Sequence, residues 1–485
     1  MNHHMKRSIF GLSVLISALL IFTACEDFFD EKQGGQILPE KHYQSETDAY
    51  NSYLGCFTTL YETMPNYIVT TSLLADLADV TENAGSDLVD INMHRPSKYN
   101  AYTDASGYYK LIISVNEALK YLAGIEELDQ DFTGLIYRAY YNSFLGLRTW
   151  AYFTLVRLYG EAAYIPDNVP SLPENFTYLT REVMIDTLIN QLDTAITRGY
   201  DIRFDQTNNL LALMGELLLE RGDYEDAAAI LYESMVGLYF PYVDASYKNL
   251  NWINIFKDSE TKWDEVYTAV PYSRDNKQEN QLYYWTSSQL DYLVKPTSVM
   301  IELYSKQIAQ NGQATGDAYR GLGVTYDVVD GNNVINKYLI DDAVSASSDI
   351  IINRVADVHL LLAEALNLAG DHMNALDLVN ANNSQFDIYW RSGNGIRERV
   401  YLKSYTIPAG TTDSTTFIED IIMEERAMEL AYEGKRWFDL MRVARRRGNG
   451  YLANKVAAKF SSPSAADEVR NILMDENNWY LPFDK

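Results

Sequence analysis

GELLLERGDYEDAAAIL at residues 215–231 and AEALNLAGDHMNALDLV at residues 363–379 are two versions of one pattern. Glu216 aligns with Glu364, Leu218 with Leu366, Gly222 with Gly370, Asp223 with Asp371 and Ala227 with Ala375. Each copy predicts a helix, a Gly-Asp turn and a second helix whose small residue packs on the first. Those are the mechanics of a tetratricopeptide unit, with Gly215 and Ala363 where its first helix needs a small side chain. The competing reading is a chance likeness between two helical hairpins. Because the copies lie far apart, the expectation is an array that is not one continuous solenoid.

Outward from the repeats the chain stays helical. Residues 134–159 contain no proline and carry Leu135, Ala139, Leu145, Leu147, Trp150, Ala151, Leu155 and Leu158 at spacings near three and four. Ile185, Leu188, Ile189, Leu192 and Ile196 repeat that spacing more cleanly. Residues 104–122 and 416–447 predict two further helices, and Pro166, Pro170 and Pro173 mark a loop. From about 240 to 333 the character changes to Tyr, Asn, Asp and Gly, punctuated by Pro241, Pro271 and Pro296; residues 383–416 are similar. The fold class expected is mainly α: a tetratricopeptide-like helical hairpin scaffold, with repeats over 210–237 and 355–380 and irregular loop-rich insertions. Loops on a rigid frame are where binding groups sit.

The N-terminus has a secretory layout. Lys6 and Arg7 precede an apolar run over 9–22, then the small pair Thr23-Ala24 and Cys25. The run is shorter than the roughly 20 residues a membrane-spanning helix needs. The expected organisation is a lipoprotein signal peptide over 1–24, lipidation at Cys25, and a single domain over 25–485. An ordinary signal peptide with an incidental cysteine is the alternative. Phe22 departs from the Leu usual in lipoprotein signals. The one other cysteine is Cys56, so a lipidated Cys25 leaves no intramolecular disulfide.

A net charge of −27 argues against nucleic acid or an anionic membrane surface as partner, since both select basic patches. The sequence has no H-E-x-x-H, G-x-S-x-G, C-x-x-C or Walker loop. His359 and His372 are read as structural or solvated rather than as zinc ligands. With 67 acidic residues some carboxylate pair always looks suitable for glycosidase chemistry, so such pairs carry no weight. Asp327, Asp330, Asn332 and Asn333 around Gly331 are read as a plain turn in preference to a calcium loop. The expectation is a non-enzyme without metal or cofactor. The 38 tyrosines suit wet contact surfaces, including those that stack on sugars, although helix packing accounts for most of them.

Three stretches resemble the SusD/RagB family. Arg138-Ala-Tyr-Tyr, Tyr152-Phe153 and Val156-Arg157-Leu158-Tyr159-Gly160-Glu161 are similar to a family helix that ends in L-Y-G-D/E. DVHLLLAEA at 357–365 resembles the family's A-D-V-x-L-x-x-A-E-A. Glu424-Glu425-Arg426, Glu429-Leu430-Ala431 and Glu433-Gly434-Lys435-Arg436-Trp437-Phe438-Asp439-Leu440 follow E-R-x-x-E-L-x-x-E-G-x-R-W-x-D-L almost throughout. Ala381-Asn382-Asn383 departs from the family's L-N-x-x-R-x-R-A-G, and the tail beyond Trp479-Tyr480-Leu481-Pro482-Phe483 is short. Glu425 and Glu429 share a helix face; Arg426 and Arg436 are expected to pair with carboxylates of neighbouring helices beneath Trp437, as structural glue.

The resemblance implies a lipid-anchored protein of the outer membrane, facing the cell exterior. The acidic Glu26, Asp27, Asp30 and Glu31 after Cys25 resemble an export signal of Bacteroidetes-type lipoproteins. It further implies capture of a glycan, or in some members a peptide, and delivery to a SusC-like TonB-dependent transporter. The alternative is a tetratricopeptide-type scaffold that binds a peptide or protein partner. Two segments are the candidate ligand site. One is the loop over 76–99, with Asp79, Asn83 and Arg95; the other is the insertion with Arg274, Tyr283, Tyr284 and Trp285. Together they supply ring faces for stacking and planar polar groups for hydroxyls. Inward packing of the Tyr-Tyr-Trp run is the competing reading.

Overall fold

The computed structural model describes residues 42–166, 175–196, 207–235, 255–256, 265–273, 277–339, 346–380 and 395–483. Its helices are α1 Glu46–Leu74, α2 Ser86–Asn92, α3 Ser106–Leu128, α4 Gly134–Tyr159, α5 Arg181–Ile196, α6 Thr207–Arg221, α7 Tyr224–Met235, α8 Gln281–Thr286, α9 Ser298–Ser305, α10 Val355–Leu368, α11 His372–Asn380, α12 Ser414–Glu429, α13 Arg436–Arg447, α14 Gly450–Ala457 and α15 Pro463–Leu473. The strands are β1 Ala78–Val80, β2 Glu161–Tyr164, β3 Thr177–Thr180, β4 Val266–Val270, β5 Val294–Pro296, β6 Tyr326–Val329, β7 Asn332–Ile335 and β8 Ile350–Arg354. They pair as four antiparallel ribbons, β1 with β5, β2 with β3, β4 with β8 and β6 with β7. The protein is mainly α-helical, as its periodicities predict.

The two repeat copies have the same turn chemistry. Gly222 and Gly370 both take positive φ, 98° and 92°, where glycine meets no Cβ penalty. In both copies the following Asp donates its N–H five residues back, Asp223 to Leu218 O and Asp371 to Leu366 O, closing the helix as a Schellman turn does. Gly215 faces Leu231 so closely that a Cβ there would collide with the leucine side chain. The expectation that distance in sequence interrupts the array needs correction: α7 packs directly on α10. One core therefore runs through α4, α5, α6, α7, α10, α11 and α12, and described residues between the copies, such as Val270, Leu282 and Met300, pack into it.

The helix expected over 416–447 is two helices. Between α12 and α13, Tyr432 and Gly434 sit at φ 62° and 77°, which no α-helix accommodates. Gly434 lies under the Tyr67 ring, whose hydroxyl donates to Gly434 O at 3.0 Å. The loop-rich reading of 240–333 also needs amending: its described part contains β4, α8, β5, α9 and the β6–β7 ribbon. These elements are too short for hydrophobic periodicity to reveal, and β4 and β5 find their strand partners far away in sequence. The ribbon turns on Asp330-Gly331, both at positive φ, the two-residue hairpin pattern.

The Glu-Arg-rich run is a buried ion network. Arg320 pairs with Glu425 at 2.7 Å and Glu429 at 2.9 Å, so the two glutamates that share a helix face also share a cation. Arg354 reaches Glu265, Glu429 and Glu433 at 2.6–2.8 Å. Arg426 bridges Asp357 and Asp439, each at 2.9 Å. Arg442 holds Glu364 of the second repeat at 2.7 Å, and Arg157 holds its counterpart Glu216 at 2.5 Å. Burial alone would raise the Glu364 carboxyl, but Arg442 and Arg446 outweigh it and hold it down at about 2. Trp437 is fully buried, with its ring against His94 at 5.4 Å.

Candidate functional site

Helix α1 is apolar over most of its buried surface, yet Thr59, Thr63, Asn66 and Thr70 recur on one stripe, as spacings of four, three and four place them. This stripe floors a cleft of about 200 Å³. Its opposite wall is the turn Ala101–Thr103 and the start of α3, with Tyr102, Asp104 and Lys110. The local sequence explains that wall. Asp104 accepts from the Ser106 N–H and hydroxyl, each at 2.8 Å, and so starts α3. Gly107 has no side chain, and a Cβ there would strike Thr63, so α3 approaches α1 closely at this point. The buried Thr70 hydroxyl has no hydrogen-bond partner among the described residues.

The segment after α1 is not the simple loop expected over 76–99: it forms β1 and α2. Its path is set by the core. Arg436 grips Asp76 with two parallel bonds of 2.8 Å. The Lys459 ammonium donates to Ala75 O at 2.9 Å and to Leu73 O, closing the C-terminus of α1. Burial pulls Lys459 down to about 7, against the opposing pull of Asp79 and Asp76. Tyr432 OH donates to Leu77 O at 3.2 Å and Thr297 Oγ1 to Asp76 O at 2.8 Å. The Glu-Gly-Lys-Arg-Trp run therefore orients the strand that leads to the candidate site.

The structure brings most of the two candidate segments together. β1 pairs with β5 through Asp79 opposite Lys295, and Thr81 N continues the ladder to Leu293 O at 3.0 Å. Asn83 is exposed and donates to Asp291 O at 3.1 Å. Asp79 accepts from Asn92 Nδ2 at 2.9 Å, so its carboxylate is partly engaged. Across the ladder, Asn280 starts α8: it accepts from Leu282 N at 3.0 Å and donates to Ser348 O at 2.7 Å. Tyr283, Tyr284 and Trp285 are all half-buried, which lies between the two readings of that run. Trp285 rests on the core and meets Tyr102 edge-on at 6.4 Å, joining α8 to the cleft. Tyr284 OH donates to Glu279 at 2.9 Å, and that bond, with some burial, raises its pKa.

Arg95 stands apart from this group. Helix α2 and His94, at φ 56°, turn the chain so that Arg95 pairs with Glu468 of α15 at 3.0 Å and lines another hollow beside Trp479 and Tyr480. Arg274 and Cys25 lie outside the described residues. Sequence reasoning missed Tyr102 and the α1 stripe. The stripe was readable as threonines and an asparagine at helical spacing; Tyr102 had no local signal, since only the tertiary contact with Trp285 gives it a place. His359 bonds Leu378 O at 2.8 Å and His372 bonds Thr415 at 2.9 Å. Among the described residues no cluster of three or more His, Cys, Asp or Glu side chains is arranged to hold a metal ion, and no helix is long and apolar enough to cross a membrane.

Known proteins share this architecture. Two SusD-like proteins of Formosa agariphila are 22% and 24% identical to the chain, over 89% and 88% of it and 90% and 89% of their own lengths. A SusD superfamily protein from Bacteroides vulgatus superposes with a TM-score of 0.71 at 17% identity, covering 90% of this chain and 95% of that one. Surface glycan-binding protein A from Bacteroides uniformis superposes at 0.66 with 16% identity, over 90% and 96% of the two chains. A laminarin binding SusD-like protein does so at 0.60 with 17% identity, over 87% and 96%. The model of the SusD family matches residues 231–483, more than half of the sequence and including all of α12 and α13, so the chain belongs to the SusD family.

Proposed function

We propose that this protein binds a glycan at the cell surface, without transforming it, and passes it to a SusC-like TonB-dependent transporter of the outer membrane. The observation that carries the reading is the junction of Trp285 and Tyr102 beside a cleft floored by threonines and an asparagine. Ring faces take the C–H faces of a pyranose, and the hydroxyl, amide and carboxylate groups around them take its hydroxyls. Asp79, Asn83, Tyr283 and Tyr284 extend that surface, and Arg274 belongs to the same insertion. Two similarly folded proteins are described as laminarin binding and surface glycan-binding, which supports the same ligand class. A binder on a lipid tether at Cys25 needs a partner to move its ligand through the membrane; an interface above about 1,000 Å² with a transporter barrel is expected.

The test is calorimetry and native-gel retention with laminarin, amylopectin, xylan and pectic galactan. Wild type is expected to bind at least one. Trp285→Ala and Tyr102→Ala are expected to weaken that binding at least about tenfold, as loss of a buried aromatic anchor does, with an unchanged circular dichroism spectrum. A wild-type chain that retains none of the four sinks the glycan reading. For the anchor, Cys25→Ala is expected to release the protein from the membrane fraction and abolish palmitate labelling.

A further inference from the structure

We propose a second carbohydrate seat, built by Tyr319 and Tyr401 at the far end of α9. The inference rests on the glycan reading above and adds a site to it. Helix α9 begins beside β5, the partner of the candidate-site strand β1. Its eight residues carry the chain about 12 Å away. Beyond it, residues 306–316 fold back on residues 400–403. Ala309 bridges Leu402, Gln310 N donates to Tyr401 O at 2.9 Å and Lys403 N donates to Ile308 O at 2.8 Å. The fold-back leaves a hollow of about 290 Å³, lined by Tyr319, Tyr401, Gln310, Asn311 and Thr315.

Tyr401 has a backbone conformation that a bulky residue rarely adopts, φ 53° and ψ 35°. Two hydrogen bonds hold it there, Tyr401 N to Glu398 O at 3.0 Å and Leu402 N to Arg397 O at 2.9 Å. Here that conformation places a ring that is 42% exposed beside Tyr319. The ring centroids are 5.2 Å apart and tilted by 33°. Tyr319 is fixed from beneath. It packs on Val400 and Leu402, and the next residue, Arg320, is locked in the buried ion network. Neither tyrosine hydroxyl, nor the Gln310 side-chain amide, bonds another described residue. A rigid pair of ring faces, with hydroxyl and amide groups at its rim that no described residue engages, has the chemistry that recognises a pyranose ring.

Two seats separated along the chain by β5 and α9 would act together only on a ligand long enough to reach both, raising the retention of a polymer above that of a short oligosaccharide. The test compares Tyr319→Ala, Tyr401→Asn, Tyr401→Phe and Trp285→Ala in gels containing the four polysaccharides named above. Asparagine tolerates the left-handed backbone, so Tyr401→Asn removes the ring without unfolding the turn. Tyr319→Ala and Tyr401→Asn are expected to weaken retention on a polymer that wild type retains by about 3- to 10-fold. Tyr401→Phe keeps the face, loses one rim hydroxyl and is expected to lose clearly less than Tyr401→Asn. If Tyr401→Asn matches wild type on every retained polymer while Trp285→Ala does not, the second seat is refuted and the first stands. Equal losses in Tyr401→Phe and Tyr401→Asn refute stacking. A wild type that retains none of the polymers removes the glycan reading and both seats.

Discussion

At Gly434 a single missing Cβ serves two demands. The backbone is at φ 77°, and the space a side chain would fill belongs to the Tyr67 ring. Gly434→Ala meets both penalties: a left-handed residue with a Cβ, about 1–2 kcal/mol, and overpacking of about 1–3 kcal/mol. A loss of about 2–5 kcal/mol in urea unfolding is expected, with a smaller loss if Tyr67 is first reduced to Ala and only the backbone penalty remains. Equal losses in the two backgrounds would show that the ring contact is irrelevant. The glycine was legible in the Glu-Gly-Lys-Arg-Trp run, but its place in the turn between α12 and α13 was not. The apolar period continues through the break, and only the contact with Tyr67, 367 residues earlier, shows why this turn needs a residue without a Cβ.

At the scale of elements, helix α5 was readable because one face of it is buried, and burial prints a period of three to four on the sequence; α4 was readable from its long proline-free apolar run, since its second half is buried on every side. The Gly-Asp turns were readable for a similar reason: positive φ and helix capping select residue types. The β1–β5 ribbon printed nothing, since three-residue strands whose partners lie about 215 residues apart carry no local period. The candidate site was therefore legible as two separate segments, without the contact that joins them. That contact depends on Asp76, which ends the turn after α1 and is held by Arg436 of α13. Burial raises the Asp76 carboxyl and Arg436 more than reverses this, keeping it below the usual carboxylate range. Arg436→Met leaves a buried carboxylate unpaired and is expected to cost about 3–5 kcal/mol. The double variant Asp76→Asn with Arg436→Met is expected to cost less than Arg436→Met alone, because the stranded charge is gone. Additive losses in denaturant melts would count against this pairing as the anchor of β1.

Over the whole molecule, the buried charges make stability depend on pH in one direction. Burial keeps folded His359 neutral down to about 4, although its bond to Leu378 O and the nearby Glu429 pull the other way. The unfolded imidazole takes its proton near 6.5. Stability is thus fully present above about 6.5 and is lost as pH falls to about 4, by about 1.4 kcal/mol for each pH unit between those values. His94, also driven down by burial and by Lys459, adds to the same limb. The carboxylates come next. Burial would raise Glu429, but Arg399, Arg354 and Arg320 hold it at about 2, and arginines hold Glu364 and Glu220 at about 2 as well. Unfolded glutamates protonate near 4.3, so this contribution is present above about 4.3 and is lost as pH falls through 2. The expected result in scanning calorimetry is a Tm that falls modestly from pH 7 to 4.5 and steeply below. His359→Gln should flatten the first limb and leave the second, because the amide still donates to Leu378 O and does not titrate. A wild-type Tm that is level from pH 7 to 3 would mean that the network under α12 and α13 is not ionised as drawn, and with it would go the account of how those helices hold the candidate site in place.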